Sequence, residues 1–339
     1  MRLELRNPTQ AEWDEFISPY PNTIFQSSAW GKVMEEGYNS EALFFILMEG
    51  KDLLLGLTGN VLNLRIIRLF FCNYLYGGFI GQIKYANSFL ALLEDKLKEK
   101  NIDRIRFTKS YSDNMPQLES YTESISYQHI LNLDGKNIDS LWKDYKPRTR
   151  RDVLKARKSD VIVKGIEKEE EIDIYYKLYL ATMKRNLAIG PHPRSFYAAL
   201  YKNFIQLNRG IILFAMYKKQ YIAAVSLIFS ENTAYLLGSV SLEEYLNYCP
   251  NDLLIHSAIE ESINRGMHTF DFMTSSSYDL RLMQFKEKWG AEKFLFGTFE
   301  KDLTSWKPKL WDLSWKLVNS NIFKGVFASI IDRYRGGDK

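Results

Sequence analysis

The chain has 339 residues, 46% of them hydrophobic, which suits one large or two average domains and excludes a disordered polymer. Its 45 basic and 41 acidic residues leave a formal net charge of +4, too small an excess to define a nucleic-acid binder. The charge is unevenly placed: residues 143–158 hold eight Lys and Arg against Asp144 and Asp152, and residues 304–339 hold seven against Asp312, Asp332 and Asp338.

Two distant cysteines, Cys72 and Cys249, make neither a disulfide framework nor a metal-ligand spacing, and four scattered histidines form no zinc motif. No metal is expected. The N-terminus lacks an apolar signal region, and no apolar run approaches the ~18–20 residues that span a bilayer. A cytoplasmic location is therefore expected, with the inner face of the cell membrane as a possible station.

In chain order, Glu41–Glu49 and Leu53–Val61 read as a hairpin around Lys51-Asp52, and Ile66–Phe71 as a third strand. Ala86–Lys100 predicts an amphipathic helix with Leu90, Leu93 and Leu97 on one face. Ile105–Thr108 and His129–Leu133 follow as strands, and Ser140–Lys158 as one charged helix. Glu169–Met183 and Ser195–Gln206 are expected helices. Ile211–Tyr217 and Tyr221–Ser230 form a second hairpin, Thr233–Ser239 a strand, Asp252–Arg265 a helix, and His268–Met273 and Lys293–Phe299 strands. Each half thus reads as hairpin, strand, helix, strand. That is the order of the GNAT acyltransferase core, as α/β units with mixed sheets. A doubly wound nucleotide-binding fold is the alternative, and the hairpins argue against it.

The most specific stretch is Tyr245–Glu292, with Pro250-Asn251 opening a helix, Gly266-Met-His-Thr-Phe-Asp-Phe272, and Phe285-Lys-Glu-Lys-Trp-Gly-Ala291. Phe25-Gln-Ser-Ser-Ala-Trp-Gly-Lys32, Tyr76-Gly-Gly-Phe79 and the basic run from Arg148 to Ala156 accompany it in order. Over roughly residues 20–300 this resembles the FemAB family of GNAT-fold aminoacyl and acyl transferases. The resemblance implies two tandem GNAT-like domains, expected at 1–150 and 151–303, with a basic amphipathic tail at 304–339. It also implies an acyl or aminoacyl transfer from aminoacyl-tRNA, or from an acyl-CoA or carrier protein, to an amine of a nucleotide- or lipid-linked cell-envelope precursor. The tRNA-docking coiled coil of long members is not visible. No resident cofactor is expected. An inactive membrane-associated binding protein is the remaining alternative.

The resemblance places Lys286 at the acyl-transfer centre, beside Phe285, where an ammonium can stabilise an oxyanion. Read without it, Phe285 and Trp289 form a packed i, i+4 pair and Lys286 projects aside into solvent. Asp271 at a strand end either orients the attacking amine or caps the loop at Thr274 and Ser275. Gln26, Trp30 and Lys32, with Tyr76, Gly77 and Gly78, are implied acceptor-binding residues; a surface lysine and a plain turn are the ordinary readings. Asn251 and Ser275 join the substrate-binding set, Asn251 equally as a helix cap. The segment before Asp252 holds no glycine, which disfavours a conventional diphosphate cradle for acetyl-CoA.

Arg148 and Arg151 in the basic run suit tRNA phosphates or another anion, or a solvated helix face. The tail interleaves Trp306, Trp311 and Trp315 with lysines, which suits peripheral contact with an anionic membrane or packing on the body. Gly325 is a candidate break in that tail.

Overall fold

The computed structural model describes residues 3–72, 76–110, 118, 120–188 and 190–319. The tail residues 320–339, with Gly325, lie outside the described residues. Two compact units are present: residues 1–127 with 294–315, and residues 128–293 with 316–339. They divide within strands, at 127/128 and 293/294, rather than near the expected boundaries at 150 and 303, so the whole basic run 143–158 belongs to the second unit.

In chain order the first unit contains β1 (Leu3–Arg6), α1 (Gln10–Ile17), α2 (Ser28–Tyr38), β2 (Glu41–Glu49), β3 (Asp52–Leu64), β4 (Ile67–Cys72), β5 (Ile80–Gly81), α3 (Ala86–Glu99) and β6 (Arg104–Ser110). The chain leaves this unit within β7 (Thr122–Asn132). The second unit continues with α4 (Ile138–Asp144), α5 (Pro147–Lys158), β8 (Ile162–Gly165), α6 (Glu171–Arg185), α7 (Arg194–Leu200), β9 (Gly210–Tyr217), β10 (Gln220–Ser230), β11 (Thr233–Ser241), α8 (Pro250–Asn264), β12 (Thr269–Ser276) and α9 (Leu280–Glu287). The chain then returns within β13 (Glu292–Asp302) and ends its described part in α10 (Lys307–Asn319).

The expected repeat is present in both units. In the first, β2, β3 and β4 form an antiparallel meander, α3 follows, and β6 pairs parallel to β4. In the second, β9, β10 and β11 form the meander, α8 follows, and β12 pairs parallel to β11. A parallel return needs a crossover, and each helix supplies it. α3 buries Leu90, Leu93 and Leu97 on its sheet, as their spacing predicts. α8 is more enclosed: Leu254, Ile255, Ala258 and Ile259 are all fully buried. Truncating Leu254 to Ala would cost about 2–5 kcal/mol at such a position.

The single helix expected over Ser140–Lys158 is two. Tyr145 adopts extended backbone at ψ 142° and Pro147 starts α5 at a position where its missing N–H is harmless. α5 buries Thr149, Val153 and Ala156, spaced i, i+4, i+7, and so turns Arg148, Arg151, Lys155 and Lys158 outward. The helix expected over Ser195–Gln206 gives way at Tyr201–Ile205 to a wider π turn.

Candidate active site

In the second unit β11 and β12 are paired only over three positions, from Thr233 opposite Thr269 to Tyr235 opposite Asp271. Beyond them β11 stays with β10 as far as Ser241, while β12 runs on to Ser276. Two backbone features mark the place where the ladder ends. Met273 has a left-handed φ of 63°, and Asp271, 1% exposed, accepts the Met273 N–H on Oδ1 at 2.7 Å. The other carboxylate oxygen accepts from Gln128 Nε2 at 2.8 Å. The left-handed turn is thereby clamped, which offsets the ~1–3 kcal/mol that such a backbone costs a non-glycine residue.

The turn aims two carbonyls at one lysine. Lys286 Nζ donates to Met273 O at 2.9 Å and to Thr274 O at 2.8 Å. The side chain is 5% exposed, so it points into the protein and not aside into solvent as the ordinary reading of its helix face expects. Burial lowers its pKa from 10.5 to about 7, against the opposing pull of the Asp271 and Asp279 carboxylates. α9 holds it in place: Asp279 caps the helix by accepting Leu282 N–H at 2.9 Å. One turn on, Trp289 is fully buried against Tyr145, with ring centroids 4.9 Å apart and edge to face. Phe285 is partly buried against the core, and Lys288 Nζ sits 4.4 Å from its ring centroid.

The other side of α9 borders a cavity of about 1230 Å³. Lys146, Arg148, Lys155, Arg185, Arg281 and Lys288 contribute to its walls, against Asp152, Asp252 and Glu287. The sign of the lining suits an anionic ligand. Its floor is the start of α8. Cys249 takes a left-handed φ of 54°, and the preceding Glu243–Tyr248 coils into a 3-10 turn, so the glycine-free segment leaves the space open. The helix start offers few backbone donors, however. Pro250 has none, and the N–H groups of Asp252 and Leu253 both bond Cys249 O. Asp252 itself is buried, which raises its pKa, and is ion-paired to Lys288. Any phosphate here must be gripped by side chains more than by the helix terminus.

Other predicted residues fall as follows. Asn251 lines the cavity and donates from Nδ2 to Ser239 Oγ at 2.8 Å, while its buried Oδ1 has no hydrogen-bond partner. Ser275 is 3% exposed, with an Oγ that likewise has none. Arg148 lines the cavity and is largely exposed; Arg151 is exposed on the same helix outside it. In the first unit, Gln26, Tyr76, Gly77 and Gly78 form a tight knot. Gln26 Nε2 donates to Gly78 O at 3.0 Å, and Gly77 N–H donates to Thr108 Oγ1 at 2.9 Å. A Cβ at position 78 would lie 2.9 Å from Thr108 O, so the glycine is required by the chain's own packing. Trp30 is fully enclosed, edge to face with Phe25, and Lys32 is exposed on α2.

Sequence reasoning missed Gln128, Arg185 and Ser239, and treated Lys288 only as a neighbour of Lys286. Arg185 Nη1 donates to Ser241 O at 2.7 Å, which ties the end of α6 to the end of β11. Nothing local signals such roles, because each depends on a partner in another element, 143 positions away for Gln128, 56 for Arg185, 36 for Lys288 and 12 for Ser239.

Residues 144–287 match the family model described as Acetyltransferase (GNAT) domain. The match lies within the second unit, and the chain as a whole has the fold of tandem GNAT proteins. The structure is similar to that of FemX, at 15% identity and a TM-score of 0.66 over 91% of this chain and 99% of that one. It is similar also to a tandem GNAT protein from the clavulanic acid biosynthesis pathway, at 10% identity and 0.62 over 90% and 99%. L-PGS from Bacillus licheniformis matches at 12% identity and 0.52 over 93% and 98%. At these identities the likeness is one of fold. No curated protein sequence matches the chain.

Proposed function

We propose that the protein transfers an aminoacyl or acyl group from an anionic, phosphate-bearing donor to an amine of a cell-envelope precursor. The observation that carries this reading is the enclosed Lys286, held by two carbonyls where β11 and β12 part, on a helix whose other side borders a cationic cavity. In this reading the donor's phosphates lie against Arg148, Lys155 and Lys288, and its carbonyl reaches the strand opening. FemX and L-PGS share the fold, and a glycan- or lipid-linked acceptor as the substrate class agrees with that likeness.

Lys286 suits a proton-handling role. As a neutral amine it has two N–H groups, both occupied by Met273 O and Thr274 O, and its lone pair remains available. As an ammonium it has a third N–H to offer. With a pKa of about 7 both forms are populated at neutral pH, which suits a group that accepts a proton and returns it. The attacking amine forms a C–N bond to the donor carbonyl and sheds a proton to Lys286. The donor C–O or C–S bond then breaks, and the leaving oxygen or sulfur takes that proton back. Oxyanion stabilisation by the ammonium form is the second contribution.

The test is transfer of a labelled acyl group to candidate amine precursors, with aminoacyl-tRNA and acyl-CoA supplied separately. Label transfer from one donor that is lost in Lys286→Ala, with folding intact, supports the reading. Transfer from neither donor, with the precursor bound unchanged, would favour a binding protein instead.

A further inference from the structure

In most amphipathic helices the apolar face packs on the body and the charges face water. In α10 an apolar stripe faces outward. Trp306, just ahead of it, Leu310 and Leu313 recur at i, i+4, i+7 and are 62%, 44% and 56% exposed. The opposite side is pinned by charge. Arg104, buried in β6, donates from Nη1 and Nη2 to the two oxygens of Asp312 at 2.9 and 2.8 Å. Lys307 pairs with Asp103 at 3.2 Å, and Pro308 is buried. A bidentate pair on a buried guanidinium has a fixed geometry, so the helix cannot roll to hide its stripe.

From these observations we infer that the outer face of α10 docks on an anionic phospholipid surface. Charge selects this occupant. Asp312 is the only acidic residue of α10, and it is spent on Arg104. The exposed Lys309 lies beside the stripe, and the sequence repeats the pairing one heptad on at Lys316 and Leu317. The outward side thus presents an apolar strip edged by cations, with a tryptophan at one end. That combination inserts at the headgroup boundary and is drawn there by negative lipid. A second copy of this chain on the same face would set lysine against lysine. Among the described residues no helix is long and apolar enough to cross a membrane, so the contact is peripheral.

The inference is independent of the transfer reading and is tested without it. The full chain is floated with phosphatidylcholine vesicles, with and without phosphatidylglycerol, at low and high salt. Binding is expected to anionic vesicles only and to weaken with salt. Leu310→Ser combined with Leu313→Ser should lower the bound fraction about tenfold or more, and Lys309→Glu should reduce it on anionic vesicles. Both sets of changes are on exposed positions, so thermal unfolding should be unchanged. Brominated lipid should quench fluorescence that Trp306→Phe removes. Equal flotation of the wild type with and without phosphatidylglycerol, or of the double variant, would overturn the proposal. So would a concentration-dependent dimer of the wild type that the double variant abolishes.

Discussion

Lys286 is suspended from Met273: its Nζ lies 2.9 Å from the Met273 carbonyl, and Met273 holds that carbonyl in position through a left-handed backbone at φ 63°. The strained residue and the buried lysine depend on each other. The turn gives the lysine its acceptors, and the lysine donates to both carbonyls.

The strain is therefore testable at position 273. Met273→Gly removes the conformational penalty and Met273→Val increases it. Urea unfolding should show the valine variant about 1–3 kcal/mol less stable than the wild type, and the glycine variant losing less than a buried Met truncation normally costs. Equal loss in both would mean that the φ angle carries no strain.

Asp271 is predicted to act as a positioning residue through Met273. Asp271→Ala leaves the Met273 N–H and the Gln128 amide without their acceptor, at a cost of about 2–4 kcal/mol. Asp271→Asn keeps the size but removes a negative charge that holds the Lys286 pKa up. The pH profile of Lys286, followed by NMR of isotope-labelled lysine, should move to lower pH in Asp271→Asn. A purely structural role would leave it in place.

Lys286 should leave a mark on the pH dependence of stability. Its folded pKa of about 7 lies below the ordinary 10.5, so between these values the unfolded chain binds a proton that the folded chain does not. Stability then rises with pH across that window, by at most about 1.4 kcal/mol per pH unit from this group. Lys286→Met should flatten the slope above pH 7 in denaturant titrations at successive pH values. An unchanged slope would contradict the burial of the amine.

His256 produces a slope of the same sign at lower pH. It lies 3% exposed between Trp142 and Tyr145, and burial lowers its pKa from 6.5 to about 4. The stability that comes with its neutral form is complete above pH 6.5 and declines as pH falls toward about 4. His256→Gln should remove this decline, read as a smaller drop in thermal midpoint between neutral and acid buffers.

Gly238 and Tyr175 are coupled. A Cβ at Gly238 would lie 2.6 Å from the Tyr175 hydroxyl, which shares a hydrogen bond with Ser226 Oγ at 2.8 Å. Gly238→Ala should cost about 1–3 kcal/mol, and Tyr175→Phe should recover part of it in the double variant. Strict additivity of the two changes would show that the hydroxyl is not the obstacle.

Much of the scaffold was legible from residue order. Apolar runs bounded by turn residues located β2, β9, β10 and β11, and the leucine spacing of α3 gave its buried face. Pro147 was a visible breaker, and reading 140–158 as one helix neglected it. The Phe285-Lys286 pair falls on α9, the helix that borders the cationic cavity. Periodicity on α9 nevertheless sent Lys286 outward, because a local pattern weighs a side chain against a generic core and knows nothing of acceptors 12 and 13 positions back in another element.

Sequence by itself determined the repeated order of hairpin, strand, helix and strand, since that follows from local propensity and spacing; the parallel pairing of the last strand came from the tertiary structure. It also determined that α10 carries tryptophans, leucines and lysines together. Tertiary structure alone decided what these residues face. It turned Lys286 inward to carbonyls and closed Gln26 and Gly78 onto each other. It also fixed α10 by Asp312, so that Leu310 and Leu313 look out. The reason is physical: orientation is settled by specific partners in other elements, 12 and 13 residues away for Lys286, 52 for Gln26 and Gly78 and 208 for Arg104 and Asp312, and the periodicity of one element describes none of them.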